Sequence, residues 1–246
     1  MKVTANHGKW QVASGDLQLT TRHLRLATCC LLLATALAGC SSAPPPPDWK
    51  MNAVSLIEHF QTRWLEGDSK TADLALDKAR DEIAKTGRLD LLARAELAAC
   101  GTRAAALDFT ACGGYEKLAN EAAGNDIAYA RFLTGDWQGL DAKSLPKHYA
   151  ELASAKDNAA ANRAVGEIKE PLPRLIAAAL LFKTSRAEPA TLASAVDTAS
   201  ERGWRRPLLA WLNVQLKRAQ AAGDSSAVAH LQRRIDLITG TTPAGK

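Results

Sequence analysis

His59, His148 and His230 each stand alone in this 246-residue chain, with no second ligand at four-residue spacing. A zinc site needs three or four converging ligands, so no metal is expected. Gly-x-Ser-x-Gly, His-Glu-x-x-His and glycine-rich phosphate loops do not occur. No catalytic residue and no cofactor follow, and the chain reads as a non-enzyme. Acidic pairs such as Asp81-Glu82 stand beside basic residues on a solvated helix face. Near the carboxyl end, Trp204-Arg205-Arg206 and Trp211 precede Lys217-Arg218 and Arg233-Arg234. Tryptophan and arginine are enriched in interface hot spots, which makes Trp204, Arg205, Arg206 and Trp211 partner-binding candidates. The plainer account puts Trp211 in the core and uses the arginines as helix-end charge. Trp137, after Gly135-Asp136, reads as packing in a loop.

One stretch carries an address. Residues 1 to 25 hold Lys2, Lys9, Arg22 and Arg25 against a single Asp16, and an uncharged run from Leu26 to Ala38 follows. That order is a charged n-region feeding an apolar h-region. The run has thirteen residues, stopped by Gly39, Cys40, Ser41 and Ser42, whereas a membrane-spanning helix needs about 20. Leu37-Ala38-Gly39-Cys40 resembles the bacterial lipoprotein signal. The resemblance implies cleavage before Cys40, acylation of that cysteine and a body lying beside a membrane. Several acyl chains anchor stably, because each buried methylene adds about 0.8 kcal/mol and one chain alone is marginal. In that family the residue after the lipidated cysteine helps sort between the two membranes. Ser41 is not the aspartate of inner-membrane retention, so the resemblance implies the periplasmic face of the outer membrane. The other reading is an ordinary secretory signal, with Ala36 and Ala38 serving a different cut.

Removing residues 1 to 39 would leave 207 residues, with Lys plus Arg falling from 31 to 27 and Asp plus Glu from 26 to 25. The net charge falls with them from +5 to +2. Nucleic-acid binding needs a clustered basic footprint, and a nearly neutral body gives no case for it. A chain of this length buries roughly 70% of its unfolded surface, so it needs no metal to fold. Cys100 and Cys112 then remain, and in an oxidising compartment an even count of thiols favours a bridge. Residues twelve apart in one helix lie about 18 Å from each other, while a disulfide wants Cα atoms at roughly 5.5 to 6 Å. A bridge therefore requires the chain to double back, with Gly101, Thr110 and Gly113-Gly114 as places to turn. Two buried, unpaired thiols are the alternative.

The elements follow in order. Pro44 to Pro47 favour an extended polyproline segment, so residues 40 to 50 read as a stiff tether. From Asp48 the pattern is helical: Leu56, Phe60 and Trp64 recur at four-residue spacing up to Gly67-Asp68. Further helices are expected over 69–85, 89–100, a short stretch to Phe109, 115–123 and 127–133, the last two split at Gly124 and Asn125. Between Trp137 and Glu170, Pro146 is placed in a first helical turn and 159–168 in a helix. The run from Leu172 to Phe182 is apolar nearly all round, which predicts a helix buried in the middle of the body. Pro189 fits a first helical position. Helices from Leu208 to Ala219 and from Ala227 to Ile238 close the domain, the last capped by Asp224 or Ser225 and stopped by Gly240. Residues 51 to 240 thus form an α-helical domain and 241 to 246 a frayed tail.

No stretch keeps the two-residue alternation of strands, so the fold class is all-α, with roughly nine to eleven helices arranged as antiparallel pairs. Gly67, Gly101, Gly135 and Gly203 fall on multiples of 34 residues from one another, as do Gly87 and Gly223. Thirty-four is the tetratricopeptide period, and Gly67 to Ala79 resembles the second helix of such a repeat. Its partner helix lacks the Trp-x-x-Leu-Gly-x-x-Tyr pattern and shows His59, Phe60 and Arg63 instead. The expected architecture is a tetratricopeptide-like α-solenoid or otherwise an irregular helical bundle. The expected role is a lipid-anchored module docking another envelope protein, with binding or processing of cell-wall fragments in a groove between helices as the alternative.

Overall fold

The computed structural model describes residues 45–241, which form eleven α-helices, three short 3-10 turns and no strand among the described residues. Residues 1–44, with the leader and Cys40, and residues 242–246 lie outside them. Pro47 holds φ −57° and ψ 145°, the polyproline II geometry expected of the tether. Helix α1 (Asp48–Glu66) starts directly after it, so residues 48 to 50 belong to the helical domain and not to the tether. Gly67 ends α1 at φ 99°, where its amide and that of Asp68 reach back to Trp64 and Arg63 carbonyls. Asp68 then caps α2 (Ser69–Ala84) by accepting from the Thr71 amide at 3.1 Å.

Helix α3 (Leu89–Ala104) corrects two expectations. It runs through Gly101 instead of stopping at Cys100, and the short helix leading to Phe109 does not form. Cys100 and Cys112 are bonded, with Cα atoms 5.8 Å apart. The chain reverses at Leu107 (φ 62°), not at a glycine. The tie and its loop leave 115–123 little helix: α4 spans only Gly113–Glu116, followed by a 3-10 turn at Ala119–Glu121. Gly124 and Asn125, expected to break the chain, open α5 (Gly124–Thr134). After two 3-10 turns at Ala142–Ser144 and Lys147–Tyr149 come α6 (Ala150–Ala153), α7 (Asn158–Glu167) and α8 (Pro171–Lys183). Pro146 stands just before the second of those turns.

Helix α8 is the centre of the core, with every residue from Leu175 to Leu181 buried. It packs against α3, α7 and α9 (Pro189–Glu201). Pro189 opens α9 at its first turn, where an amide hydrogen has no intrahelical partner to lose. The Asn162 side chain ties the turn between α8 and α9 to α7. Its amide donates to the Asn158 and Arg186 carbonyls, and its oxygen accepts from the Glu188 amide and the Thr191 hydroxyl.

Helices α10 (Arg205–Ala221) and α11 (Ser225–Thr239) form the last pair, with Asp224 accepting from the Ala227 amide at 2.9 Å. The all-α expectation and the pairing of consecutive helices hold. Two observations depart from an open tetratricopeptide stack. Gly101 lies within a helix and breaks the 34-residue register of turns. Helix α10 also packs back on α1, 142 residues away, whereas units of an open solenoid touch only their neighbours. No helix among the described residues is long and apolar enough to cross a membrane.

Candidate functional site

The carboxyl-terminal tryptophans and one arginine are structural. Trp211 is fully buried, and its indole N–H donates to the Ala105 carbonyl at 3.1 Å, satisfying an orphan acceptor at the end of α3. Trp204 is buried beneath the Arg202 guanidinium. Arg206 donates to the Trp64 carbonyl at 2.7 Å and to Ser69 Oγ at 2.6 Å, and lies 4.3 Å from the Trp64 ring centroid. Only Arg205 of the four candidates faces solvent. The correction has a simple cause: residues suited to interfaces are also suited to closing α10 onto α1 and α3. Trp137 packs in its loop as expected, its indole donating to the Phe132 carbonyl at 2.9 Å.

A concave site forms elsewhere, from residues far apart in sequence. A cleft of about 510 Å³ opens between α1, α3, the start of α5, residues 144–149 and the start of α8. Arg94 stands on the outer face of α3. Its Nε and Nη2 donate to the Asp126 carboxylate at 3.1 to 3.2 Å, joining α3 to α5. Asp126 is 7% exposed, and its place in the first turn of α5 adds the favourable end of the helix dipole. Gly101, two turns along α3 from Arg94, leaves room for the Tyr129 hydroxyl.

The floor is aromatic. Tyr129 stacks on Tyr149 with centroids 5.9 Å apart, and behind them, outside the lining, Tyr149 meets Phe132 at 4.6 Å and Phe132 meets Trp137 at 5.2 Å. His148 lies edge-on to Tyr149 at 4.2 Å. Gln61, Asn125 and Ser144 bring amides and a hydroxyl to the same walls, with Pro146 and Leu172 as apolar neighbours.

Burial pushes these groups toward their neutral forms. It raises the Tyr129 phenol to about 12, against a smaller lowering from Tyr149, and raises Tyr149 well above its ordinary value. It lowers His148, with Glu170 pulling weakly the other way. Arg94 is held more firmly protonated by Asp126. At neutral pH the cleft therefore presents uncharged donors and acceptors around one self-compensated ion pair.

His59 and His230 lie on α1 and α11, away from this cleft's lining, and only His148 joins it. Among the described residues no three His, Cys, Asp or Glu side chains converge as a metal site. The bonded Cys100–Cys112 pair lines a separate cavity of about 360 Å³ with Phe109, Ile127 and Lys183. Sequence reading missed Arg94, Asp126, Tyr129 and Tyr149. The one available signal was that Tyr129 and Tyr149 are two of only three tyrosines in the chain. No family model, curated protein or solved structure matches this chain.

Proposed function

We propose that this chain is a lipoprotein of the outer membrane, acylated at Cys40 and lying on the periplasmic face, whose closed helical body is a non-catalytic docking module. The Leu37-Ala38-Gly39-Cys40 sequence supports the anchor, and the extended Pro47 leading into α1 supports a tether that holds the body off the lipid. The observation that carries the docking role is the cleft's chemistry. Tyrosine and arginine line a concave face whose titratable groups are driven to neutrality or paired with each other. Arg205 remains an exposed edge contact on α10.

The amides of Gln61 and Asn125 and the Ser144 hydroxyl favour a second reading, a cleft that holds an uncharged wall fragment by hydrogen bonds over an aromatic floor. One experiment separates the two. A photoreactive residue at Asn125, a second at Arg205 and a control at the exposed Lys78 are crosslinked in intact cells and read by mass spectrometry. A dominant protein adduct at Asn125 but not Lys78 supports docking, and a glycan adduct supports the second reading. Equal labelling at all three positions would remove the cleft from both. Loss of membrane retention in Cys40→Ala tests the anchor independently.

A further inference from the structure

A second groove, on different elements from the cleft, lies between α10 and the reversal that follows α3. Ala210, Val214, Lys217 and Arg218 form one stripe along α10, and Leu107 and Phe182 form the opposite wall. It encloses about 500 Å³. Its apolar floor and two exposed cations are unmatched by any carboxylate in the lining, among the described residues.

Leu107 points the same way. Six helix ends in this fold enter the left-handed region at glycine: Gly67, Gly87, Gly135, Gly203, Gly223 and Gly240. After α3 and α8 the same role falls to Leu107 at φ 62° and Ser185 at φ 57°, the Asp108 amide reaching back to the Arg103 carbonyl at 3.2 Å and the Arg186 amide to the Leu181 carbonyl at 2.8 Å. A β-carbon is disfavoured in that conformation, and glycine would remove the cost. Leu107 keeps a side chain, only half-buried, on the groove wall. That side chain packs its inner face on the core and leaves its outer face to the groove.

We propose that this groove docks a short acidic segment of a partner protein, with one apolar side chain seated between Leu107, Phe182 and Val214 and flanking carboxylates on Lys217 and Arg218. The occupant follows from the charge and the apolar lining. Paired cations at the rim call for anions, and the apolar wall of Leu107, Phe182 and Val214 beside them calls for an apolar side chain between those anions.

The test uses the full-length protein in neutral detergent with a blocked peptide, acetyl-Glu-photoleucine-Glu-amide, and its Lys-photoleucine-Lys counterpart. Crosslinks are mapped by mass spectrometry. The acidic peptide should label Leu107 and Val214 about fivefold more than the basic one, the worth of two exposed ion pairs. Lys217→Glu with Arg218→Glu should reverse that preference while leaving the circular dichroism unchanged. Labelling spread evenly over the surface, or a preference untouched by the charge reversal, would overturn the proposal. So would absent peptide labelling, and binding to phosphatidylglycerol vesicles that the same double variant abolishes would then make the groove a lipid site.

Discussion

Gly101 and Tyr129 meet across the α3–α5 contact with no room for a further carbon: a β-carbon built on Gly101 would stand 2.5 Å from the Tyr129 hydroxyl and 3.3 Å from Ile176 Cδ1. Gly101 is therefore not a turn residue, despite its 34-residue spacing from Gly67 and Gly135. It is the gap that lets an aromatic side chain lie against a helix and face the cleft.

Gly101→Ala tests this directly. In an open helix interior the change would stabilise by up to about 1 kcal/mol. Here Tyr129 cannot swing aside, because its ring is stacked on Tyr149 and Phe132. The expected result is a net loss of about 1–3 kcal/mol from overpacking. Tyr129→Phe in the same chain should recover part of the loss, since it removes the atom in the way. Urea midpoints of the two single variants and the double variant measure the coupling; additive effects would contradict the contact.

What was legible in the sequence and what was not divides along range. Helix ends at Gly67, Gly135 and Gly240, the proline start at Pro189 and the buried run around Leu175–Leu181 are local patterns, and they appear where expected. The reversal demanded by a Cys100–Cys112 bridge was legible too, because disulfide geometry excludes a continuous helix. Its location was not: Leu107 adopts a conformation that its residue type disfavours, and no local pattern announces that. The cleft was unreadable for a different reason. Gln61, Arg94, Tyr129, His148 and Leu172 come together only through the packing of five segments, and none of them is periodic with another. Trp204 and Trp211 show the converse failure, since residue type alone does not distinguish an interface anchor from a core residue.

The Cys100–Cys112 bond closes the reversal between α3 and α4, where only turns and four helical residues hold the backbone. Removing it with paired Cys→Ser substitutions should cost about 3 kcal/mol in the chain-entropy account. Guanidinium unfolding followed by circular dichroism reads the loss. A change below the error of the fit would mean that the loop is fixed by its other contacts, among them the close seat of Gly114 against the Glu96 carboxylate.

That carboxylate carries a prediction of its own. Glu96 is 6% exposed and receives Arg80 Nε at 2.6 Å and Nη2 at 2.9 Å, bridging α2 and α3. Arg80→Met leaves a buried carboxylate without its cation, which costs about 3 kcal/mol even with Arg80 itself part-exposed. Replacing both residues by methionine should return most of that, because the penalty belongs to the orphaned charge. The surface pair Arg88–Asp90 offers the contrast. Although Arg88 lowers Asp90 to about 2, both groups are solvated, and Asp90→Asn should change thermal stability little. A thermal-denaturation cycle over the four Arg80/Glu96 combinations decides whether the pair behaves as a unit.

The cleft predicts the pH profile of stability on both sides of neutrality. His148 is depressed by burial, so below its ordinary 6.5 the unfolded chain takes a proton that the folded chain resists. Stability must fall as pH drops through that window, and His148→Gln should flatten the acid limb. Tyr129 and Tyr149 are displaced upward, Tyr129 to about 12. Above pH 10 the unfolded phenols ionise while the folded ones stay protonated, so stability falls again as pH rises. Tyr149→Phe should flatten that limb and leave the acid one alone. Melting temperatures measured from pH 5 to 11 for the three proteins separate the effects, and limbs unchanged by the substitutions would show that the slopes arise elsewhere. Between about pH 7 and 9 none of these cleft groups changes charge. Binding in the cleft should then be flat over that range, and a ligand affinity that varies steeply there must owe its slope to the ligand.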